Sequence, residues 1–133
     1  MIRVLIAKPG LDPHDRGAKV LGVALRNEGM EAIYTGLHQT PENIVRSAVQ
    51  EDVDIICLSI LSGAHLPLTG RIMELLKENS AEDIAVICGG VIPDKDIPAL
   101  KALNVKEVFK PMTPVEECIA YINKLAKERG KQL

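Results

Sequence analysis

Apolar residues run nearly unbroken through Ile2–Ala7, and Met30–Thr35, Asp54–Ile60, Ile84–Cys88 and Glu107–Lys110 read as further short strands. Runs this short, rich in branched side chains, predict strands covered on both faces. Between them the period changes from continuous to helical. Ala18, Leu21 and Leu25 share one side of a helix beginning near Arg16, which Gly29 stops. Thr40-Pro41-Glu42-Asn43 is a helix start with a hydroxyl cap, proline at the first position and a carboxylate in the first turn. Ile44, Val45, Ala48 and Val49 are its expected inner face. A third helix, Leu66 to Glu78, carries Leu68, Ile72, Leu75 and Leu76 at helical spacing. A shorter one is expected from about Asp94 to Leu103. The last opens at Thr113-Pro114-Val115-Glu116 and buries Val115, Cys118, Ile119, Ile122, Leu125 and Ala126.

Five alternations of strand and helix predict an α/β domain, with helices on both faces of a parallel sheet. The expected order is flavodoxin-like, 2-1-3-4-5, in a single domain over residues 1–133. Such an order puts a ligand crevice at the carboxyl ends of the strands, where the topology reverses between the first and third.

Composition narrows what that crevice could hold. Among 133 residues, 16 basic and 18 acidic side chains give a net charge of -2. No basic surplus exists to bind a phosphate backbone, and Tyr34, Phe109 and Tyr121 are the only aromatics for base stacking. Neither nucleic acid nor membrane is an expected partner, for no apolar run approaches the ~18 residues that a membrane span needs. The strand pattern starts at Ile2, so a signal peptide is not expected either, and the expected location is cytoplasmic. Cys57, Cys88 and Cys118 form no Cys-x-x-Cys pair and read as small buried residues in a reducing compartment.

The chemistry-bearing residues fall where strands are expected to end. Lys8-Pro9-Gly10-Leu11-Asp12-Pro13-His14-Asp15-Arg16-Gly17 follows the first strand, and Leu37-His38-Gln39 the second. Ser59 to His65, Gly89-Gly90-Val91 and Pro111-Met112-Thr113 follow the rest. His14 has two readings. As a metal ligand, its second ring nitrogen would be held by Asp12, which Pro13 pushes into an extended conformation. As an ordinary loop histidine, it would sit in solvent beside a helix-capping aspartate. Gly89-Gly90 either lets a ligand or another backbone come close, or makes a simple turn. In the ligand reading, a Gly90→Val branch projects into ligand space and leaves the fold intact. A zinc site from His14, His38 and His65 is a further arrangement open to the rim. Neither Gly-x-Gly-x-x-Gly nor Gly-x-x-x-x-Gly-Lys-Ser/Thr occurs, so a glycine-lined slot suits an elongated ligand better than a pyrophosphate.

Asp12-x-His14-x-x-Gly17, Ser59-x-Leu61 and Gly89-Gly90, in that order, resemble the signature of cobalamin-binding domains that take up the cofactor with its lower base detached. The stretches Lys8–Lys19, Gln39-Thr-Pro-Glu42 and Cys88-Gly-Gly-Val-Ile-Pro93 look like the carboxyl-terminal domain of methylmalonyl-CoA mutase. The resemblance implies that His14 is the lower ligand to cobalt, that Asp12 hydrogen-bonds it, and that Lys8 lies behind Asp12. It also implies that Gly17, Ser59, Leu61, Gly89 and Gly90 line a slot for the displaced nucleotide tail, Ser59 bonding its base and Phe109 and Thr113 closing the far side. Asp15, Arg16, Ser62, Gly63 and Val91 complete the expected cofactor contacts. Pro13 stands where close relatives usually carry glycine, which restricts the loop backbone.

The implied function is the cobalamin-binding small subunit of an adenosylcobalamin-dependent acyl-CoA mutase, an isomerase inactive without a large catalytic subunit. No catalytic side chain is expected here. Methylmalonyl-CoA mutase is the first expectation. The alternatives are the small subunit of another carbon-skeleton mutase, such as 2-hydroxyisobutyryl-CoA mutase, and the corrinoid protein of a methyltransferase. A receiver domain would need a phosphoacceptor aspartate where Ser59 stands, and a flavodoxin would need stacking aromatics.

Overall fold

A computed structural model describes residues 2–8, 16–36, 39–60, 65–110 and 113–128, with the backbone alone for 16, 17 and 65. Its elements alternate in chain order as β1 (Arg3–Ala7), α1 (Arg16–Asn27), β2 (Glu31–Tyr34), α2 (Pro41–Gln50) and β3 (Ile55–Ile60). Then come α3 (His65–Glu78), β4 (Ala85–Gly90), α4 (Ile97–Ala102), β5 (Glu107–Phe109) and α5 (Val115–Glu128). The five strands are all parallel and ordered β2-β1-β3-β4-β5, the expected flavodoxin-like order.

Side-chain alternation divides the core into two layers. Leu5, Ala7, Ile56, Leu58, Val86, Cys88 and Val108 face α2, α3 and α4, meeting Ile44, Ala48, Ile72, Leu76 and Leu100. Val4, Ile6, Ile55, Cys57, Ala85 and Ile87 point the other way, toward Ala18 and Leu25 of α1 and Ile122, Leu125 and Ala126 of α5. Covering on both faces explains why the strands read as continuous apolar runs.

Two helix starts differ from expectation. The segment Asp94–Leu103 is not one helix: a single 3₁₀ turn, Asp94–Asp96, precedes α4. Pro98 has no N–H to bond back to the Asp94 carbonyl, and the Ile97 N–H takes that carbonyl in an i→i−3 bond instead. Pro114 directly precedes α5 rather than opening it, and the Thr113 hydroxyl donates to the Lys110 carbonyl at 2.6 Å. The Thr40 cap of α2 is as expected, its Oγ1 accepting from the Asn43 N–H at 3.1 Å. Val49, expected inside, is 44% exposed on the outer side of α2.

The first four helices all end alike. Met30, Val53, Ala81 and Val105 each donate their N–H back to a carbonyl five residues earlier, on Leu25, Ala48, Leu76 and Leu100. The residue before each donor has positive φ: Gly29 at 86°, Asp52 at 49°, Ser80 at 55° and Asn104 at 77°. This closure satisfies orphan helix carbonyls and sets an apolar residue of the incoming chain against the last helical turn. All four donors and all four acceptors are buried, so the closures also pack.

A left-handed backbone costs a side chain about 1–2 kcal/mol, against which a non-glycine residue recovers about 0.4–1 kcal/mol through a less flexible unfolded chain. Among the described residues Gly29→Ala meets no atom within 4 Å, so the backbone sets its effect. We expect it to destabilise by about 1 kcal/mol, and Ser80→Gly to stabilise by about 0.5 kcal/mol, in urea unfolding at equal m-value.

Candidate functional site

Sheet register assembles the site. Ser59 of β3 lies opposite Gly89 of β4, and Gly89 opposite Phe109 of β5. By alternation Ser59 shares the face of Cys57, and Gly89 that of Ile87, the side covered by α1 and α5. Phe109 packs toward the same layer. A row of hydroxyl, bare backbone and aromatic ring therefore crosses the carboxyl end of the sheet. Lys8, just past β1, extends it: its side chain is only 1% exposed, and Nζ donates to the Ser59 carbonyl at 3.4 Å, one of its partners. A buried ammonium is costly without such partners, so Lys8 ties the end of β1 to the end of β3.

The paired glycines were expected after the fourth strand but lie within it, for pairing with β3 continues through Ser59–Gly89 and Ile60–Gly90. They are not equivalent. Among the described residues, a Cβ on Gly89 would meet the Phe109 carbonyl oxygen at 3.9 Å and Cβ at 4.0 Å, ordinary contact distances. Gly90 has φ of 122°, and a Cβ there would stand 1.9 Å from the Ile60 carbonyl oxygen and 2.8 Å from its carbon. The close neighbour of Gly90 is thus the backbone of β3. This corrects the expectation that Gly90→Val projects into ligand space and spares the fold: any side chain there collides with Ile60. The Val91 N–H bonds the same Ile60 carbonyl at 3.1 Å, leaving the Val91 side chain 57% exposed on the rim.

Phe109 closes the row. Its ring meets Tyr121 of α5 edge-on, with centroids 5.6 Å apart and planes at 78°, a favourable aromatic geometry. The Tyr121 hydroxyl donates to the Lys106 carbonyl at 3.0 Å, anchoring α5 to the start of β5. Sequence reasoning missed Tyr121 as part of the site. The signal was there, because Cys118, Tyr121 and Leu125 follow i, i+3, i+7 spacing on the inner side of α5.

Thr113 is half-buried, with its N–H and hydroxyl both bonded to the carbonyl of Lys110, the residue after Phe109. Asp12, His14, Asp15, Leu61, Ser62 and Gly63 lie outside the described residues, as do Pro13 and His38. Arg16 and Gly17 begin α1, and His65 begins α3. Cys57 and Cys88 are buried thiols, whereas Cys118, expected to be buried as well, is half-buried on α5: burial pushes Cys88 up to about 12, against a weaker opposing pull from the Thr69 hydroxyl, raises Cys57 further, and raises Cys118 too. At neutral pH they stay protonated and offer no thiolate for nucleophilic or metal chemistry. Among the described residues no three His, Cys, Asp or Glu side chains gather as a metal site, and no helix is long and apolar enough to cross a membrane.

The B12 binding domain family matches residues 2–117. The chain belongs to this family. It is 51% identical over 129 residues to the 2-hydroxyisobutanoyl-CoA mutase small subunit of Aquincola tertiaricarbonis, covering 97% of this chain and 95% of that one. It is 40% identical over 126 residues to a methylmalonyl-CoA mutase of Cereibacter sphaeroides, covering 95% of this chain but 18% of that protein. A cobalamin-binding protein from Desulfitobacterium hafniense has the same fold, with a TM-score of 0.80 at 18% identity over 93% of this chain and 58% of that one. Gly89 adds no side chain beside Phe109, and this is compatible with a domain that takes up a bulky cofactor.

The two glycines separate experimentally. Gly90→Ala should cost about 2–4 kcal/mol, because the β3 backbone cannot move aside without breaking the ladder. Gly89→Ala should stay within about 1 kcal/mol of the parent in the absence of cofactor. Urea unfolding of both variants reads the difference.

Proposed function

We propose that this chain is the cobalamin-binding small subunit of an adenosylcobalamin-dependent mutase acting on a 2-hydroxyacyl-CoA such as 2-hydroxyisobutanoyl-CoA. The observation that carries the reading is the 51% identity with a 2-hydroxyisobutanoyl-CoA mutase small subunit across nearly the full length of both chains. It reverses the order of the sequence-based expectations, in which methylmalonyl-CoA mutase stood first. That enzyme's relative is less similar, and this chain spans about a fifth of its length.

In this reading His14 is the lower ligand to cobalt, Asp12 holds its second ring nitrogen, and Lys8 supports Asp12 from beneath. Ser59, Gly89 and Phe109 receive the detached nucleotide tail on the α1/α5 face, with Thr113 at the far end. Gly17, Leu61, Ser62 and Gly63 line its approach, and Asp15, Arg16 and Val91 border the corrin. Gly90 holds β4 against β3 so that Gly89 can face the tail. When bound, the cofactor would supply a radical by homolysis of its cobalt–carbon bond. This chain's residues bind and orient it, while a large subunit supplies the acyl-CoA cavity and shields the upper face from water.

Mixing with adenosylcobalamin should give the absorption spectrum of the base-off, histidine-ligated form. His14→Ala should abolish that ligation, whereas His38→Ala should retain it. Electron paramagnetic resonance of the cob(II)alamin form, with labelled histidine nitrogen, checks the ligand directly. Coupling to the cofactor's own benzimidazole would sink the assignment.

Activity tests the subunit reading separately. The chain alone should turn over no acyl-CoA. Combined with the large subunit of a 2-hydroxyisobutanoyl-CoA mutase and adenosylcobalamin, it should isomerise 2-hydroxyisobutanoyl-CoA in preference to methylmalonyl-CoA. Asp12→Ala should lower that rate about 10–100-fold through misorientation of His14. Turnover by the chain alone, or methyl transfer from methylcobalamin with a different partner, would refute the proposal.

A further inference from the structure

Tyr121 belongs to none of the motifs that point to cobalamin, yet it is the side chain that fixes the end wall of the row. Phe109 is half-buried: one part of its ring is covered by Tyr121, and the row beside it ends at the bare backbone of Gly89. Tyr121 is placed in turn by its helix, to which an exposed hydroxyl bond makes a minor addition. Its hydroxyl bonds the Lys106 carbonyl three residues before Phe109, and its neighbour Ile122 is fully buried in the α1/α5 core. A phenylalanine on a three-residue edge strand has no further strand to hold its ring from outside. The brace comes from α5.

We infer that Tyr121 is a positioning residue for the nucleotide tail: by packing edge-on against Phe109, it sets the width of the gap over Gly89. This rests on the reading that the row receives that tail. The gap accepts a flat group sliding between bare backbone and an aromatic wall. A wall free to rotate closes or widens it. In that reading the corrin ring would sit beyond the row, toward His14, so Tyr121 should leave corrin binding and His14 ligation untouched.

Cobinamide, a corrinoid that lacks the nucleotide tail, separates the two effects. Dissociation constants for cobalamin and cobinamide, from absorption titration of the whole chain, should show tighter cobalamin binding by the parent. Tyr121→Leu should weaken cobalamin binding about 3- to 10-fold, the range expected for losing one aromatic pair. Cobinamide binding should stay within about twofold, and Tyr121→Phe, which keeps the ring, should restore cobalamin binding to within about twofold. Phe109→Leu should reproduce the selective loss, and adding Tyr121→Leu to it should change nothing further. If Tyr121→Leu does not fold, Phe109→Leu and Tyr121→Phe decide the matter alone: equal losses for both corrinoids in Phe109→Leu, or a selective loss in Tyr121→Phe larger than twofold, overturn the inference. A parent with no preference for cobalamin would overturn the tail-binding reading itself. A parent with that preference, unchanged in a folded Tyr121→Leu variant, would overturn the role of Tyr121 only.

Discussion

The ladder between β3 and β4 runs two residues further than the apolar pattern suggests, and the site depends on that extension. Pairing of Ser59 with Gly89 and Ile60 with Gly90 brings two backbones together where a side chain on Gly90 would overlap the Ile60 carbonyl. Because the overlap is with backbone rather than a flexible side chain, no rotamer change relieves it. Ser59 and Gly89 therefore stand on a continuous ladder rather than on loops, and rigid elements hold a binding row more accurately than loops do. Lys8 extends the constraint sideways, linking β1 to the Ser59 carbonyl from within the core.

The two ends of the sheet are built on different rules. At the amino ends of the strands, the same hydrogen-bonded closure recurs after four successive helices, with four different residues in the left-handed position. Geometry is uniform there and residue identity secondary. At the carboxyl ends of four of the strands the residues differ: a buried lysine just past β1, a half-buried serine one residue before the end of β3, a glycine pair closing β4 and a phenylalanine closing β5. The parallel arrangement brings these unlike endings to one rim, as expected for ligand sites of open α/β sheets.

The strand–helix alternation, both helical layers and the α2 cap were legible in the sequence because each rests on local periodicity or a short capping pattern, and the strand order followed from the fold class that this alternation implies. The split before α4 was less visible, since it follows from one missing N–H at Pro98 rather than from hydrophobicity. The glycine pair showed that something approaches closely, but a sequence cannot say which glycine meets a neighbouring backbone and which does not. That distinction depends on register, which is a long-range property. Tyr121 was hidden for a similar reason: its partners Phe109 and Lys106 are distant along the chain and meet it only when α5 folds over β5.

The sheet also places its shortest strands outermost. β2 and β5, with four and three residues, flank the six-residue β3 and β4. Each edge carries a glutamate in an ion pair, Glu31 with Arg3 at 3.0 Å and Glu107 with Lys101 at 3.3 Å. Short, charged edges offer a poor template for strand addition by another chain. The long apolar strands that would aggregate most readily are those with no free edge, which guards the folded chain against self-association by sheet extension whether or not the rim is occupied.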